Sequence, residues 1–308
     1  MNQTVLITGG TGTIGRRLTQ LLQQQGYTVT YLSRRSDGPF TNQAPPVKTY
    51  QWDVKRGHID PHAIQTADHI VHLAGAGIAD GRWTSARKDE ILTSRTESAE
   101  LLAQALAKNP HKVKSFIASS AIGYYGGDTG DRPLTETSSG GSDFLARVTR
   151  AWEQSEDQVA ALGIRTVKFR TGVVLTMAGG ALPKLAQPVR LGAGAPIGSG
   201  QQYISWIHID DLCELYLMAL KDESWRGVYN AVAPGPVTNE TLTRAIAGVL
   251  NRPMMLPNIP NFVIKLMLGE LAITVIGGSY VLNKRIAEET DFRYQYGELD
   301  QALENLLT

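Results

Sequence analysis

Val5-Leu6-Ile7-Thr8-Gly9-Gly10-Thr11-Gly12-Thr13-Ile14-Gly15 is the stretch on which the reading of the chain turns. The unbroken apolar run Val5 to Ile7 suits a strand covered on both faces, since a strand with one wet face alternates. Ile14, Leu18, Leu21 and Leu22 then fall at helical spacing, and Gly26 sits where that helix ends. The turn between them fits both GxGxxG and GxxGxxG. Glycines let a backbone turn tightly and approach a pyrophosphate, and a helix N-terminus offers free N–H groups and the positive end of a dipole. A glycine-rich turn without ligand is the plain alternative. The strand before it and the helix after it favour a dinucleotide site.

Outward from this turn, short β-branched runs alternate with longer helical patterns through residue 175. Further strands read at Thr28 to Leu32, Val47 to Trp52, Ile70 to Leu73, Ser115 to Ala118 and Thr166 to Arg170, with helices at Ala86 to Lys108 and Asp143 to Leu162. Repeated βαβ units predict an α/β fold, a Rossmann-type doubly wound parallel sheet over residues 1–175. From Gly179 to Gly200 the periodicity lapses and a loop is expected. A strand at Ile204 to Ile209, a helix through Leu220, a strand at Val228 to Val232 and helices near Thr238 to Leu250 and Phe262 to Val275 follow. They predict a smaller substrate lobe over 176–308, with parts of 200–235 completing the sheet.

Thirty Lys plus Arg balance twenty-nine Asp plus Glu among 308 residues, and 42% of residues are hydrophobic. This is ordinary globular composition and argues against a nucleic-acid stripe or a polybasic membrane anchor. Cys213 is the only cysteine, so no intrachain disulfide or multi-thiolate zinc site can form. His69 and His72, three apart on an expected strand, point to opposite faces, and Pro61 separates His58 from His62, so no metal centre is expected. The N-terminus has no secretory pattern, and the apolar stretch Phe262 to Leu282 is interrupted by Lys265, Glu270 and Gly277-Gly278. A cytoplasmic protein with a small-molecule substrate, and with homodimerisation through its long helices, is the expectation.

About twenty residues past the glycine turn, an NAD site offers Asp or Glu to the ribose hydroxyls. Here the sequence is Ser33-Arg34-Arg35, and no carboxylate appears until Asp37. A hydroxyl and a guanidinium suit a 2′-phosphate, which selects NADP over NAD; two solvated arginines are the alternative.

The glycine turn, Trp52-Asp53-Val54, His72-Leu73-Ala74-Gly75, Ser119-Ser120-Ala121-Ile122-Gly123-Tyr124-Tyr125-Gly126 and Arg170-Thr171-Gly172-Val173-Val174-Leu175 together resemble the extended short-chain dehydrogenase/reductase superfamily. Arg82-Trp83, Ser94-Arg95, Gly198-Ser199-Gly200-Gln201, Trp206-Ile207-His208-Ile209-Asp210-Asp211 and Gly269-Glu270 narrow it. The chain is similar to the atypical NAD(P)-dependent epimerase-like family, which has its own C-terminal domain of unknown function. The resemblance implies that Gly9, Thr11, Gly12, Ile14 and Gly15 hold the pyrophosphate and that Ser33 and Arg34 hold the 2′-phosphate. It places Asp53 and Val54 at the adenine, Leu73 and Ala74 along the trough, Glu90 and Arg95 reaching in from the long helix, and Val173 and Val174 near the nicotinamide. A strand-end turn is the other reading of Asp53, and a solvated helix face that of Glu90.

Typical superfamily members use a Ser with a Tyr-xxx-Lys pair in which the Lys tunes the Tyr. Of eleven tyrosines only Tyr280 has a Lys four residues on, Lys284, and both lie in the C-terminal lobe. The expected Tyr and Lys positions fall near Leu145 and Thr149, and the usual serine position is Ala121. Ser119, Tyr124 and Tyr125 are the remaining catalytic candidates, with pocket wall as the alternative for the tyrosines. His208 reads as substrate-facing or structural, and Asp210-Asp211 as carboxylates satisfying the N–H groups of a helix start. Two functions stay open: an NADP(H)-dependent oxidoreductase or epimerase acting on a small polar carbonyl or sugar-like substrate, or an NADP(H)-binding sensor without turnover.

Overall fold

A computed structural model describes residues 3–34 and 47–308. Strand β1 (Thr4–Thr8) runs into helix α1 (Thr13–Gln24), and β2 (Thr28–Ser33) follows. Next come β3 (Lys48–Asp53), the short β4 (His58–Ile59), α2 (Pro61–Thr66), β5 (His69–His72) and the long α3 (Ser85–Lys108). After β6 (Ser115–Ala121), a 3-10 turn at Ile122–Tyr125 leads to β7 (Gly130–Leu134), α4 (Phe144–Ala160), β8 (Arg165–Thr171) and β9 (Val173–Leu175). The remainder holds α5 (Ala181–Arg190), β10 (Tyr203–Ile204), β11 (Trp206–His208), α6 (Ile209–Lys221), β12 (Gly227–Ala231), β13 (Val237–Thr238) and α7 (Asn239–Val249). It ends with α8 (Asn261–Leu268), α9 (Ile273–Ile276), β14 (Ser279–Val281), α10 (Lys284–Glu289) and α11 (Leu299–Leu307).

Eight strands form one sheet in the order β12-β8-β6-β5-β1-β2-β3-β4. Every pair in it is parallel except β3 with β4. The strand order reverses at β1, whose neighbours are β2 and β5, and a crevice opens there at the C-terminal strand ends, where open α/β sheets bind ligands. The period-2 geometry of a strand divides the core. Val5 and Ile7 join Leu18 and Leu22 of α1 and Leu212, Leu215 and Tyr216 of α6 on one face. Leu6 points the other way, to Ile64 of α2 and Leu102 and Leu106 of α3. Both faces are covered, which is why β1 reads as an unbroken apolar run.

The loop expected from Gly179 to Gly200 contains α5. Leu182, Ala186 and Val189 of this helix are buried against Leu175, Trp206 and Leu242. Pro188 sits inside the helix, and Gly180 enters it at φ 74°, so the residues that normally signal a break are tolerated because packing holds the segment. The second apolar stretch is also divided: α8 gives way at Gly269 to a 3-10 turn, and α9 and β14 follow. No helix among the described residues is long and apolar enough to cross a membrane.

Candidate functional site

The glycine turn is built by close approach. A Cβ on Gly10 would lie 2.3 Å from the Tyr31 ring, and one on Gly15 would lie 2.5 Å from the Gly9 carbonyl oxygen. Gly9, at φ 70°, packs on the next strand end, where a Cβ would come within 2.8 Å of the Leu73 carbonyl. Gly12 N–H donates to the Gly9 carbonyl at 3.0 Å and closes the turn. Helix α1 then starts at Gly12 with no side-chain cap and no acidic residue in its first turn among the described residues. Its open N–H groups favour an anion. Thr11, Gly12, Thr13, Arg16, Thr176 and Ala178 line a cleft of about 410 Å³ beside this turn.

Part of the predicted cofactor set lies on neighbouring strand ends, with Leu73 and Ala74 against Gly9 and Ser33 one strand over. Ser33 ends β2 half-buried and Arg34 follows it exposed, while Arg35 and Asp37 lie outside the described residues. Leu73 and Ala74 follow β5, and their amides are held at 3.2 Å by the Thr8 hydroxyl. Ala76 N–H donates to Ser94 Oγ at 3.0 Å, and Arg95 Nη2 donates to the Ala76 carbonyl at 3.0 Å. Arg95 is only 7% exposed, roofs Gly75 and stacks over Trp152, and its Nε has no partner among the described residues. Burial and the like charge of Arg87 bring its guanidinium down to about 10. A buried cation with no carboxylate partner among the described residues, beside a cradle that glycines alone allow, fits an anionic dinucleotide.

Other positions have local roles. Glu90 is exposed and pairs with Arg87 at 2.6 Å. Asp53 accepts Arg56 N–H at 3.1 Å in the turn after β3, and Val54 packs behind it. Val173 and Val174 sit half-buried in β9, which pairs with β11. His208, not the two aspartates, caps α6: its Nδ1 accepts Asp210 N–H at 3.1 Å, and its Nε2 faces Asn305 Oδ1 at 3.2 Å. Asp210 pairs with Arg17, and Asp211 accepts the amides of Gln295 and Tyr296 at 2.8 and 2.9 Å. Those carboxylates therefore bind other segments, because the imidazole already occupies the helix end.

Around the catalytic candidates, Gly123 faces both positions where the usual Tyr and Lys are expected. A Cβ there would lie 3.4 Å from Leu145 Cβ and 3.5 Å from Thr149 Oγ1, and Thr149 donates back to the Leu145 carbonyl at 2.9 Å. Ser119, half-buried, lies by the buried Tyr216 phenol, which burial pushes up while Ser119 partly offsets it. Tyr125 is buried; its hydroxyl donates to Asn230 Oδ1 at 2.7 Å and accepts from Arg170 Nη1 at 3.1 Å. Burial pushes this phenol up against the pull of Arg170. Tyr124 lies face-on to the same guanidinium, 3.3 Å from ring centroid to Cζ. Tyr280 instead packs its ring on Tyr203, and Lys284 faces Glu288.

Sequence reasoning missed the group that organises this corner. Glu153 of α4 and Arg170 of β8 form a buried bidentate pair at 2.8 Å for each bond, and Ser120 donates to Glu153 at 2.6 Å. The signal lay in β8, where Arg165, Lys168 and Arg170 stand in a strand buried at every residue. Charges on a buried strand require partners.

Residues 5–231 match the NAD dependent epimerase/dehydratase family, and residues 259–306 match a domain of unknown function (DUF1731). The epimerase family protein YfhF of Bacillus subtilis is 34% identical over 98% of this chain and 97% of its own length. The human epimerase family protein SDR39U1, solved with NADPH, superposes with a TM-score of 0.86 at 34% identity, over 99% of both chains. A nucleoside-diphosphate sugar epimerase from Corynebacterium glutamicum superposes at 0.80 and 32% identity, with all of this chain spanning 58% of that one. With its glycine turn at the switch point of a doubly wound sheet and these full-length likenesses, the chain belongs to the NAD dependent epimerase/dehydratase family.

Proposed function

We propose that the protein is an NADP(H)-dependent oxidoreductase or epimerase acting on a small polar carbonyl or sugar-like substrate, in the cytoplasm. The observation that carries this reading is the glycine turn closed against Leu73 and Ala74, with β2 ending beside it in Ser33-Arg34. The likeness to a protein solved with NADPH supports the choice of cofactor. Gly9, Thr11, Gly12, Ile14 and Gly15 would hold the pyrophosphate and Ser33 with Arg34 the 2′-phosphate, while Arg95 packs over Gly75 and supports the trough. The cofactor's contribution when bound is hydride transfer, and the chain supplies placement and a proton. Tyr125 spends its hydroxyl proton on Asn230, so Tyr124 is the residue assigned to move one, with Ser119 beside the same strand end.

The second reading, an NADP(H) sensor without turnover, is favoured by one specific observation. The side chains facing Gly123 are Leu145 and Thr149, and neither can act as base. Titration with NADPH and NADH, repeated with Arg34→Ala, tests the cofactor; NADPH is expected to bind more tightly, and the preference to collapse in the variant. Equal binding of both would refute the phosphate clamp. Oxidation of NADPH by a carbonyl substrate, or interconversion of sugar nucleotides in the presence of NADP+ with no net change in the cofactor, lost in Tyr124→Phe, would establish the enzyme. Turnover unaffected by Tyr124→Phe would remove Tyr124 from the chemistry, and binding without turnover across such a panel would leave the sensor.

A further inference from the structure

The segment after β5 rests on a chain of hydrogen bonds whose direction follows from counting protons. Thr8 Oγ1 receives the amides of Leu73 and Ala74, each at 3.2 Å, the first shared with the Thr8 carbonyl at 3.1 Å. A hydroxyl has two acceptor positions and one proton, so the proton of Thr8 goes to its remaining neighbour, His72 Nδ1, at 2.7 Å. Nδ1 is then the bare nitrogen, and Nε2 carries the ring proton. Nε2 lies 3.2 Å from Ser98 Oγ, and Ser98 donates onward to the Arg95 carbonyl at 3.0 Å. The imidazole has no exposed surface and lies against the Phe116 ring. Arg95 closes the circuit by returning its guanidinium to the Ala76 carbonyl.

We propose that Thr8, His72 and Ser98 form a positioning relay that holds the Leu73–Ala76 segment and the Arg95 guanidinium in the geometry that receives the cofactor. The inference rests on the reading of this crevice as an NADP(H) site. None of the three side chains is assigned a contact with the cofactor; they act through the backbone they fix. Because the 2′-phosphate is read across the crevice at Ser33 and Arg34, breaking the relay weakens NADPH and NADH alike.

The test uses the full chain with Thr8→Val, His72→Phe and Ser98→Ala, singly and in pairs, and Thr8→Ser as the conservative control. Nitrogen-15 histidine spectra of the unsubstituted protein are expected to show His72 with Nδ1 unprotonated. Each folded variant is expected to lose about tenfold in affinity for both nucleotides with their ratio unchanged. Pairs should lose little more than the worse single, since one break interrupts the relay, and Thr8→Ser should bind as the wild type does. An Nδ1–H tautomer overturns the relay even where a variant does not fold, and so do folded variants that bind NADPH normally or whose losses simply add. Wild-type protein that binds NADPH beside unaffected variants overturns the relay alone. Wild-type protein that binds no nucleotide overturns the cofactor reading together with it.

Discussion

Arg170 shows how much one buried charge governs at this site. Its guanidinium is satisfied by both Glu153 oxygens, by the Tyr125 hydroxyl and by the Glu136 carbonyl, and its face carries Tyr124. Removing one partner strands the other, so Arg170→Met is expected to cost about 3–5 kcal/mol, whereas Arg170→Met with Glu153→Leu recovers most of that loss. Urea melts of the wild type, both singles and the double would show additive losses if the pair were independent of its partner. Two buried histidines make a separate prediction about acid. Burial lowers His72 to about 3 and His69 to about 4, the latter against the pull of Asp68. Their folded affinities for a proton lie below the ordinary value, so the stability they contribute is complete above pH 6.5 and drains as pH falls towards 4 and 3. Each contributes a slope of up to about 1.4 kcal/mol per pH unit. His72→Phe should therefore flatten the wild-type loss between pH 6 and 4.5 by close to half of this pair's share. Parallel pH profiles in the two proteins would contradict the assignment. These residues were legible only in part: His72 stands in the strand the sequence announces, but Glu153 and Arg170 are seventeen positions apart, and pairing across a sheet face leaves no local pattern.

At the scale of elements, the legible parts are those whose residues repeat a period. Seven of the eight expected strands form at their places, while the one expected at Ile204 to Ile209 divides into β10 and β11. β1, β5 and β8 are buried along nearly their whole length, whereas β3 alternates with one wet face. Helix α5 was not legible, because Pro183, Pro188 and the flanking glycines advertise a loop, while its helicity is imposed by the pocket that receives Leu182, Ala186 and Val189. The cap of α6 failed for a similar reason, since an Asp pair at a helix start is a local signal and the winning His208 cap depends on Asn305, far along the chain. The glycine turn is the element in which local and tertiary demands agree. Gly15→Ala places a methyl 2.5 Å from the Gly9 carbonyl and 2.6 Å from Gly10 Cα, both rigid backbone, so the turn must open away from α1. NADPH affinity is expected to fall at least tenfold, about 1.4 kcal/mol, with NADH affected equally. Gly57→Ala, at φ 63° with open space around it at the far sheet edge, strains the backbone away from the turn and so controls for a general loss of stability. Equal cofactor binding by Gly15→Ala and wild type would show that the turn does not hold the pyrophosphate.

Across the whole molecule, the C-terminal fifty residues are tied to the sheet domain at sites spread over its length. Arg82 donates to the carbonyls of Leu266 and Met267, Lys88 pairs with Glu270, and the Ser205 hydroxyl joins the backbone of β14. Asn230 donates to the Leu282 carbonyl, and the Tyr294 hydroxyl donates to the Val232 carbonyl. Asp211 binds the amides of Gln295 and Tyr296. The one ion pair among these, Lys88 with Glu270, adds little, since exposed pairs are worth roughly 0–1 kcal/mol. The buried contacts weigh more, because a lost acceptor leaves its donors unpaired away from water. With anchors on β12 and α6 as well as beside α3 and between β10 and β11, the C-terminal segment should unfold together with the sheet domain. Asp211→Ala removes one carboxylate that serves two half-buried amides, and each amide left unpaired costs about 1–3 kcal/mol. The expected result is a single calorimetric transition, displaced downward by several degrees as a unit, with far-ultraviolet dichroism and tryptophan fluorescence reporting the same midpoint. A variant that instead shows an early, small transition followed by a second at the wild-type temperature would mean that the C-terminal segment melts alone and that these anchors do not couple it to the sheet.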